Sequence, residues 1–413
     1  MKKTMMNGLK YLKEFEDRNI DIEGDSLNGY NFYLLKNDKD YKLKFYQNKE
    51  KCIVESGLLD CSLINGYEAI YSETNKTIEC QLSLIESEYE YLHYFQSDFN
   101  PCYDENGVSK NPPPDTFEIE NSFGVDITIG CSSRAFNALT ECKGLSIYNK
   151  NPQYTLKISN IHLNDYEDAL ENLTKIGLSV LFSISKDFQI SIILKNDQPS
   201  RIAFPAWVYD VDSALLSDAK LSNITKHYDT KPLSYLLNAN VCNEMPLYQF
   251  LQFYHCIEYY FTKHAGSSIK KNIIDTISKY ADSHDNFSDI ERALIETFKK
   301  KVYLKEEQCL KDVFNDCIDA QNIDSYITNR DELKSYFLDT KDYESISLVD
   351  LYKTESISLD ILAKRIYEIR NSIVHAKSDE RIIEINEHNM SLIMNDIKLI
   401  KYIAEQVLIK NSL

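Results

Sequence analysis

Three residues near the end of a predicted helix have side chains that could do chemistry together: Arg370, Asn371 and His375, in the pattern R-N-x-x-x-H. Histidine exchanges protons in the physiological pH range. The guanidinium of arginine presents a planar fork of N–H donors that matches the oxygens of a phosphate. Positions 371 and 375 are one helical turn apart, and the long side chain at 370 flanks them. The pattern predicts a small cationic site for proton transfer on an anion.

The helix that must position these residues is predicted over 359–377. Its other face is an apolar stripe at helical spacing, made of Leu362, Ile366, Ile369, Ile373 and Ala376. A stripe of this period packs against a core, so the polar motif is expected to point elsewhere. Four basic residues lie near the motif: Lys364, Arg365, Lys377 and Arg381. Since the whole chain has a formal net charge of -18, this local reversal of sign indicates an anionic ligand.

A second predicted helix, Leu247–Ala265, begins after Pro246 and ends before Gly266. Most of its residues are apolar or aromatic, so the helix is expected to be largely buried. Glu258 is the acidic exception, and a buried carboxylate needs a partner. We predict that Arg370 is this partner. The alternative is that Glu258 lies on a narrow face exposed to solvent.

The R-N-x-x-x-H pattern, in a helical C-terminal region that closes with one long helix, resembles the HEPN superfamily of RNases and nucleic-acid-associated modules. Glu258 resembles the acidic residue in the first helix of bacterial HEPN proteins. The resemblance implies a metal-independent endoribonuclease in which the 2′-OH of RNA is the nucleophile. Arg370, Asn371 and His375 would be its catalytic residues, and Glu258 would support Arg370. Lys364, Arg365, Lys377 and Arg381 would contact the RNA.

The resemblance also implies partners. A homodimer through the C-terminal domain is expected, because two-fold symmetry would bring two copies of the motif into one cleft. The expected substrate is RNA, with tRNA and mRNA as the candidates. The family further suggests a toxin or an anti-phage abortive-infection effector, whose N-terminal domain would sense a phage-derived or protein trigger.

Two other interpretations stay open. Some HEPN domains lack RNase activity and act as nucleic-acid- or protein-binding modules, which the acidic balance of this chain favours. The motif is also short enough to arise by coincidence in a plain helical bundle. An intact set of Arg370, Asn371 and His375 favours catalysis, whereas the lack of a basic surface favours binding.

Composition limits the class of protein. With 413 residues, 43% hydrophobic and 27% charged, the chain has the balance of a globular protein with two domains. Its ten cysteines include no C-x-x-C pair, so we expect reduced thiols, a cytoplasmic location and neither metal nor cofactor. No apolar run approaches the length of a membrane span, and no contact with a membrane is expected. A pI near 5.0 argues against a protein that coats nucleic acid non-specifically.

Residues 1–200 are predicted to form a strand-rich α+β domain with a largely antiparallel sheet. Its β-branched and aromatic runs predict strands at Tyr30–Leu35, Tyr41–Tyr46, Thr77–Ile85, Phe117–Ile129, Tyr154–Ile161, Leu178–Ile184 and Phe188–Leu194. A helix Asp165–Ile176 is expected to stop at Gly177, and Ser185–Asp187 to join the last two strands as a hairpin. The usual phosphate-binding, zincin and serine-nucleophile motifs are absent, so we interpret this domain as a sensing or docking domain.

The boundary is predicted within a linker, 201–242, that contains short helices, and 243–413 is predicted to be an all-α HEPN-like bundle. Residues 322–356 are acidic and weakly periodic, and are interpreted as an insertion that covers the motif. The last helix has an apolar seam at three- and four-residue spacing: Met390, Ile393, Ile397, Ile400, Ala404 and Val407. This seam would support the dimer, unless it is fully used inside the monomer.

Overall fold

The chain changes from a strand-rich to a helical unit at His227. Contacts in the computed structural model divide it into two units, Met1–His227 and Tyr228–Leu413. The structure describes residues 11–84, 116–143, 154–197, 223–264, 305–338, 357–374 and 386–413, with short gaps inside these ranges, and a few single positions between them. The division falls inside the stretch 201–242, whose last part therefore belongs to the helical unit.

The first unit is built on one sheet. Its described strands are β1 (Ile22–Asp25), β2 (Gly29–Lys36), β3 (Lys39–Phe45), β4 (Ser62–Leu63), β5 (Ala69–Ser72), β6 (Thr77–Leu84), β7 (Thr116–Ile119), β8 (Asp126–Cys131), β9 (Tyr154–Ser159) and β10 (Ile192–Leu194). They follow the order β1-β2-β4-β5-β6-β9-β8-β7, with β3 paired to β2 and β10 paired to β6. Every described strand pair is antiparallel except the short contact of β2 with β4. The predicted, largely antiparallel sheet is confirmed.

The segment Phe117–Ile129, predicted as one strand, is a hairpin of β7 and β8. The side chain of Asn121 builds its turn: Nδ2 donates to two backbone carbonyls at 3.1 and 3.0 Å, and Oδ1 accepts from the N–H of Phe123 at 3.0 Å. Gly124 has a φ of 74°, a conformation that glycine adopts readily. The prediction of one strand was wrong because it passed over this Asn and Gly turn signal.

Helices pack on the sheet of the first unit. They are α1 (Glu50–Ser56), α2 (Arg134–Cys142), α3 (Tyr166–Asn172) and α4 (Leu178–Phe188). α1 and α2 close a core around Phe15, Phe32 and Phe45, whose ring centroids lie 5.5 to 5.6 Å apart. A π-helical turn, Leu173–Gly177, joins α3 directly to α4.

The segment Leu178–Ile184 was predicted as a strand and is helical, so neither the predicted stop at Gly177 nor the hairpin at Ser185–Asp187 exists. An added Cβ on Gly177 would lie 3.2 Å from Cδ2 of Leu156 in β9, so this glycine permits a close approach to the sheet. The helix buries side chains on all sides, namely Leu178, Ser179, Val180, Leu181, Phe182, Ile184 and Ser185. The strand prediction rested on β-branched and aromatic residues such as Val180, Phe182 and Ile184, and tertiary packing overrides that local preference.

The described part of the second unit is mainly helical, as predicted at that coarse level. Its helices are α5 (Thr230–Val241), α6 (Pro246–Glu258), α7 (Phe261–His264), α8 (Glu306–Cys317), α9 (Ala320–Thr328), α10 (Asp331–Leu338), α11 (Leu359–Val374) and α12 (Glu387–Lys410). The stretch 322–356, interpreted from its weak period as an insertion that covers the motif, contains most of α9 and all of α10. Across the described residues, no helix combines the length and apolar character needed to cross a membrane.

α12 is the central helix of this unit and packs against α5, α6 and α8. Asn386 caps its start, since the Asn386 side chain accepts from the backbone N–H of Asn389 at 2.8 Å. The apolar seam faces inward: Ile393, Ile397, Ile400, Ala404 and Val407 are each at most 3% exposed. The seam is therefore used inside the chain, and the expectation that it supports a dimer is wrong because its side chains are already buried.

A buried charge cluster ties α11 to α12. Arg365 donates from Nε to Oδ1 of Asp396 at 2.9 Å and from Nη2 to Oδ2 at 3.1 Å. The hydroxyls of Tyr336 and Tyr343 donate to Asp396 Oδ2 at 2.6 and 2.8 Å. Burial and the adjacent carboxylate raise the pKa of both tyrosines, which keeps the hydroxyls protonated as donors. Each charge in this cluster has partners, as a buried ion pair requires.

Removing the end of the predicted linker should destabilise the helical unit. In α5, Leu233, Leu236 and Leu237 are at most 3% exposed, so a fragment 243–413 loses a buried apolar face that 228–413 keeps. We expect 228–413 to be helical by circular dichroism and to melt cooperatively, and 243–413 to melt at a clearly lower temperature. Equal melting temperatures, or strand signal in 228–413, would contradict this division.

Breaking the buried ion pair should also be costly. Arg365→Met leaves Asp396 buried without its cation, and we expect a loss of about 3–5 kcal/mol in the free energy of unfolding. Adding Asp396→Asn removes the orphaned charge, so the double variant should lose less than the sum of the two single variants. Urea unfolding of the full chain measures all three. Lys364→Ala, on the exposed side of α11, is the control and should change stability little.

Candidate functional site

The motif helix α11 places its apolar stripe in the core, as predicted. Of the predicted stripe, Leu362, Ile366 and Ile369 are at most 2% exposed, and Ala376 lies outside the described residues. The helix packs against α8 and α6. Ile373 is half-buried, and Val374, the last residue of α11, is 47% exposed. The described helix thus changes from buried to exposed over the turn that carries Arg370 and Asn371.

Arg370 is held by three contacts. Its Nη2 lies 2.9 Å from Oε1 of Glu306, and its Nη1 donates to Oδ1 of Asn371 at 3.1 Å. Its guanidinium carbon lies 5.4 Å from the ring centroid of Tyr254, within the range of a cation–π contact. The side chain of Arg370 is 17% exposed, so it is fixed and still reaches solvent.

Glu306 and Tyr254 form the wall behind Arg370. Glu306 is the first residue of α8, where an acidic side chain interacts favourably with the helix dipole. The hydroxyl of Tyr254, on α6, donates to the same Oε1 of Glu306 at 3.0 Å. Burial raises the pKa of Tyr254, helped by the Glu306 carboxylate, so the tyrosine remains a neutral donor. One carboxylate oxygen therefore accepts from both a tyrosine and an arginine.

The predicted pairing of Glu258 with Arg370 does not form. Glu258 is the last residue of α6 and its side chain is 38% exposed, so burial does not force it to find a cation. Nε2 of His255, one turn earlier on α6, lies 4.0 Å from Oε2 of Glu258. Glu258 still lies close enough to Tyr254 to contribute to the raised pKa of its hydroxyl. The acidic support of Arg370 comes from Glu306 instead.

Sequence reasoning missed both members of this wall. Tyr254 was counted only as part of an apolar face, and nothing in the spacing connects position 306 to position 370. The available signal was weak: Glu306 and Glu307 open an amphipathic run, which marks the start of a helix and not a partner.

The other predicted site residues differ in their exposure to solvent. Lys364 is exposed, and its Nζ lies 3.7 Å from Oε1 of Glu368 one turn later. Arg365 is 5% exposed, so its prediction as an RNA contact is wrong: its guanidinium is buried against Asp396 and cannot reach a ligand. His375, Lys377 and Arg381 lie outside the described residues.

The described charges of α11 are balanced. Its three basic side chains, Lys364, Arg365 and Arg370, each lie within ion-pair distance of a carboxylate. Local excess of positive charge is thus not a property of the described part of this helix. No group of three or more His, Cys, Asp and Glu side chains in the described ranges is arranged to hold a metal ion.

The first unit contains a cavity of about 630 Å³. Its ionisable lining is mainly acidic, with Asp40, Asp60 and Glu73 beside a single arginine, Arg18, which pairs with Asp60. An acidic recess repels phosphate. This cavity does not extend a surface for RNA.

Comparison of the chain with protein families, with curated proteins and with solved structures finds no match.

Proposed function

We propose that the chain is a metal-independent endoribonuclease of the HEPN type, with its active site at Arg370, Asn371 and His375. The observation that supports this most is the state of Arg370, a partly exposed arginine fixed by Glu306, Tyr254 and Asn371. A pre-positioned guanidinium stabilises charge that develops on a phosphoryl group without having to reorganise during the reaction.

The chemistry follows from the residue types. The 2′-OH of RNA attacks the adjacent phosphorus, so the protein must supply proton transfer and positive charge. His375 would accept or donate the proton, Arg370 would bind the phosphoryl oxygens, and Asn371 would orient the phosphate or His375. The products would carry a 2′,3′-cyclic phosphate and a 5′-OH.

The ion pair with Glu306 leaves Arg370 able to bind a phosphate. A guanidinium has five N–H donors, and the contacts to Glu306 and Asn371 involve one nitrogen each. The Glu306 carboxylate fixes the orientation of the Arg370 guanidinium, and the remaining N–H donors of Arg370 would bind the phosphate. Glu306 thus takes the supporting role that the sequence assigned to Glu258.

A non-catalytic binding module is the second candidate, and one observation favours it. The described basic residues of α11 are each neutralised by a carboxylate, so this face offers little net attraction for a polyanion. In that case the unit would bind nucleic acid or a protein through the same face without cleaving it.

The biological setting is part of the proposal. The resemblance to HEPN proteins supports a cytoplasmic toxin or anti-phage defence effector that acts on tRNA or mRNA. The first unit, which lacks the usual catalytic motifs, would sense the phage-derived or protein trigger. The cavity beside Asp40, Asp60 and Glu73 would suit a basic segment of such a trigger.

The active species is proposed to be a homodimer through the helical unit. A single motif supplies one histidine, whereas cleavage benefits from a proton acceptor and a proton donor on opposite sides of the phosphate. Because the seam of α12 is buried, the interface must use other residues. Val374 directly follows the turn of Arg370 and Asn371 and exposes an apolar side chain, so an isologous contact there would bring two motifs together.

The first test is RNA cleavage by the full chain in EDTA. His375→Ala and Arg370→Ala should each lower the rate by about 100-fold or more, since each removes a proton-transfer or charge-stabilising group. His388→Ala changes an exposed residue of α12 that has no part in the proposed site, and this control should keep the wild-type rate. Product ends are read by gel mobility before and after removal of the cyclic phosphate.

Unchanged cleavage in His375→Ala, or loss of cleavage on adding EDTA, would refute the proposed mechanism. If the wild-type chain binds tRNA or mRNA but leaves it intact, and His375→Ala binds equally well, the binding module is the better description.

The dimer is tested by light scattering. Val374→Asp places a charge in the proposed interface and should convert the dimer to a monomer, with loss of cleavage. Leu338→Asp is a matched control, because Leu338 is also 47% exposed but lies on α10. A wild-type chain that is monomeric and still cleaves RNA would show that one motif suffices.

A further inference from the structure

A second reactive arrangement lies away from Arg370, where three helices of the second unit end. α7 ends at His264, α8 ends at Cys317, and Asn411 caps the end of α12. Nδ1 of His264 lies 2.8 Å from Oδ2 of Asp316, and Sγ of Cys317 lies 3.5 Å from Nε2 of His264. A thiol, an imidazole and a carboxylate are thus in contact in that order.

This order is that of a nucleophile, its base and the group that orients the base. We assign the Nδ1 proton to the bond with Asp316, because a carboxylate oxygen can only accept. Nε2 is then the nitrogen that can take a proton from Cys317, whose Sγ lies 3.5 Å away. Nε2 also faces Oδ1 of Asn411, which can only accept, so it gains a hydrogen bond there once it has taken the proton. The Asp316 carboxylate also stabilises the imidazolium that forms when Nε2 takes a proton.

Asn411 stabilises the same charge separation. Its Nδ2 donates to the carbonyl of Val407 at 2.9 Å, which fixes the orientation of the amide. Nδ2 also donates to Sγ of Cys317 at 3.5 Å, and Oδ1 lies 3.1 Å from Nε2 of His264. A donor aimed at sulfur and an acceptor aimed at the ring both favour a thiolate beside an imidazolium over the neutral pair.

Burial restricts what can react there. Cys317 is 9% exposed and Asn411 is 4% exposed, so the sulfur is nearly enclosed and only a small reagent is a reasonable partner for it. Burial raises the pKa of the Cys317 thiol, while Asn411 and the charges of Lys410 and Lys263 act in the opposite direction. The resting group is the thiol, so a reaction requires the adjacent base.

We propose that Cys317 is a modification site for small electrophiles, with peroxide as the chemical class, and that His264 activates it with Asp316 and Asn411 as positioning residues. The thiol proton passes to Nε2 of His264, and the sulfur attacks one oxygen of hydrogen peroxide. The O–O bond breaks, the leaving hydroxide takes the proton from Nε2, and water departs. The sulfur is oxidised by two electrons to the sulfenic acid, and the peroxide is reduced to water.

The chain provides a matched control for this proposal. Cys309 lies two turns earlier on α8 and has the same 9% exposure, and burial likewise raises the pKa of its thiol. Cys52 is exposed and serves as a reference for a freely accessible thiol. If burial and exposure alone governed reactivity, Cys317 would react like Cys309 and more slowly than Cys52.

The test treats the full chain with hydrogen peroxide, traps sulfenic acid with a dimedone reagent and measures each cysteine by mass spectrometry. We expect Cys317 to be labelled about tenfold faster than Cys309 and faster than Cys52, because general-base catalysis contributes at least this much. In His264→Gln the rate at Cys317 should fall to that of Cys309. In Asp316→Asn the labelling rate at Cys317 should lie between its wild-type rate and the rate at Cys309. The rate at Cys309 should be unchanged in both variants.

Equal labelling of Cys317 and Cys309 in the wild-type chain would overturn the proposal, and this comparison needs no variant to fold. A Cys317 that stays fast in a folded His264→Gln chain would also overturn it. Both readouts are independent of RNA cleavage, so their failure leaves the ribonuclease proposal untouched.

Discussion

The buried ion pair of Arg365 with Asp396 is the constraint on which the second unit depends. Its two direct bonds, with those from Tyr336 and Tyr343, prevent α11 from rotating against α12 without leaving a buried charge unpaired. Arg370 follows five residues later, about 140° further around the helix. That rotation turns Arg370 away from α12 and towards Tyr254 and Glu306. A structural arginine thereby decides where the arginine of the proposed site lies.

The two arginines show how burial separates scaffold from site on one helix. The side chain of Arg365 is 7% exposed and its guanidinium is bonded to Asp396 and Tyr336, so it lies out of reach of a ligand in solvent. The side chain of Arg370 is 17% exposed and its ion pair uses one oxygen of Glu306. The difference in exposure is small, yet it separates an arginine that is enclosed in the core from one whose side chain reaches solvent.

α8 connects the two proposed sites because it contributes a residue at each end. Glu306 in its first turn supports Arg370, and Cys317 in its last turn contacts His264. Over this helix the two positions are roughly 16 Å apart along the axis, so the sites do not share side chains. The two ends of α8 also favour opposite charges. The helix dipole stabilises the carboxylate of Glu306 at the N-terminal end and would stabilise an imidazolium of His264 at the C-terminal end.

The sequence by itself determined the elements with a clear period. The antiparallel strands of the first unit, the buried stripe of α11 and the start of α6 at Pro246 follow from alternation, helical spacing and a proline in the first turn, all of which act locally. Tertiary structure decided α4, whose β-branched and aromatic residues favour a strand locally, and the seam of α12, whose apolar residues look alike whether they face the core or a partner. Tertiary structure also decided which charged residues form ion pairs. Arg370 pairs with Glu306 and not with Glu258, and Arg365 pairs with Asp396. Charge pairing depends on distances in the folded chain, and spacing along the sequence does not reveal contacts between helices.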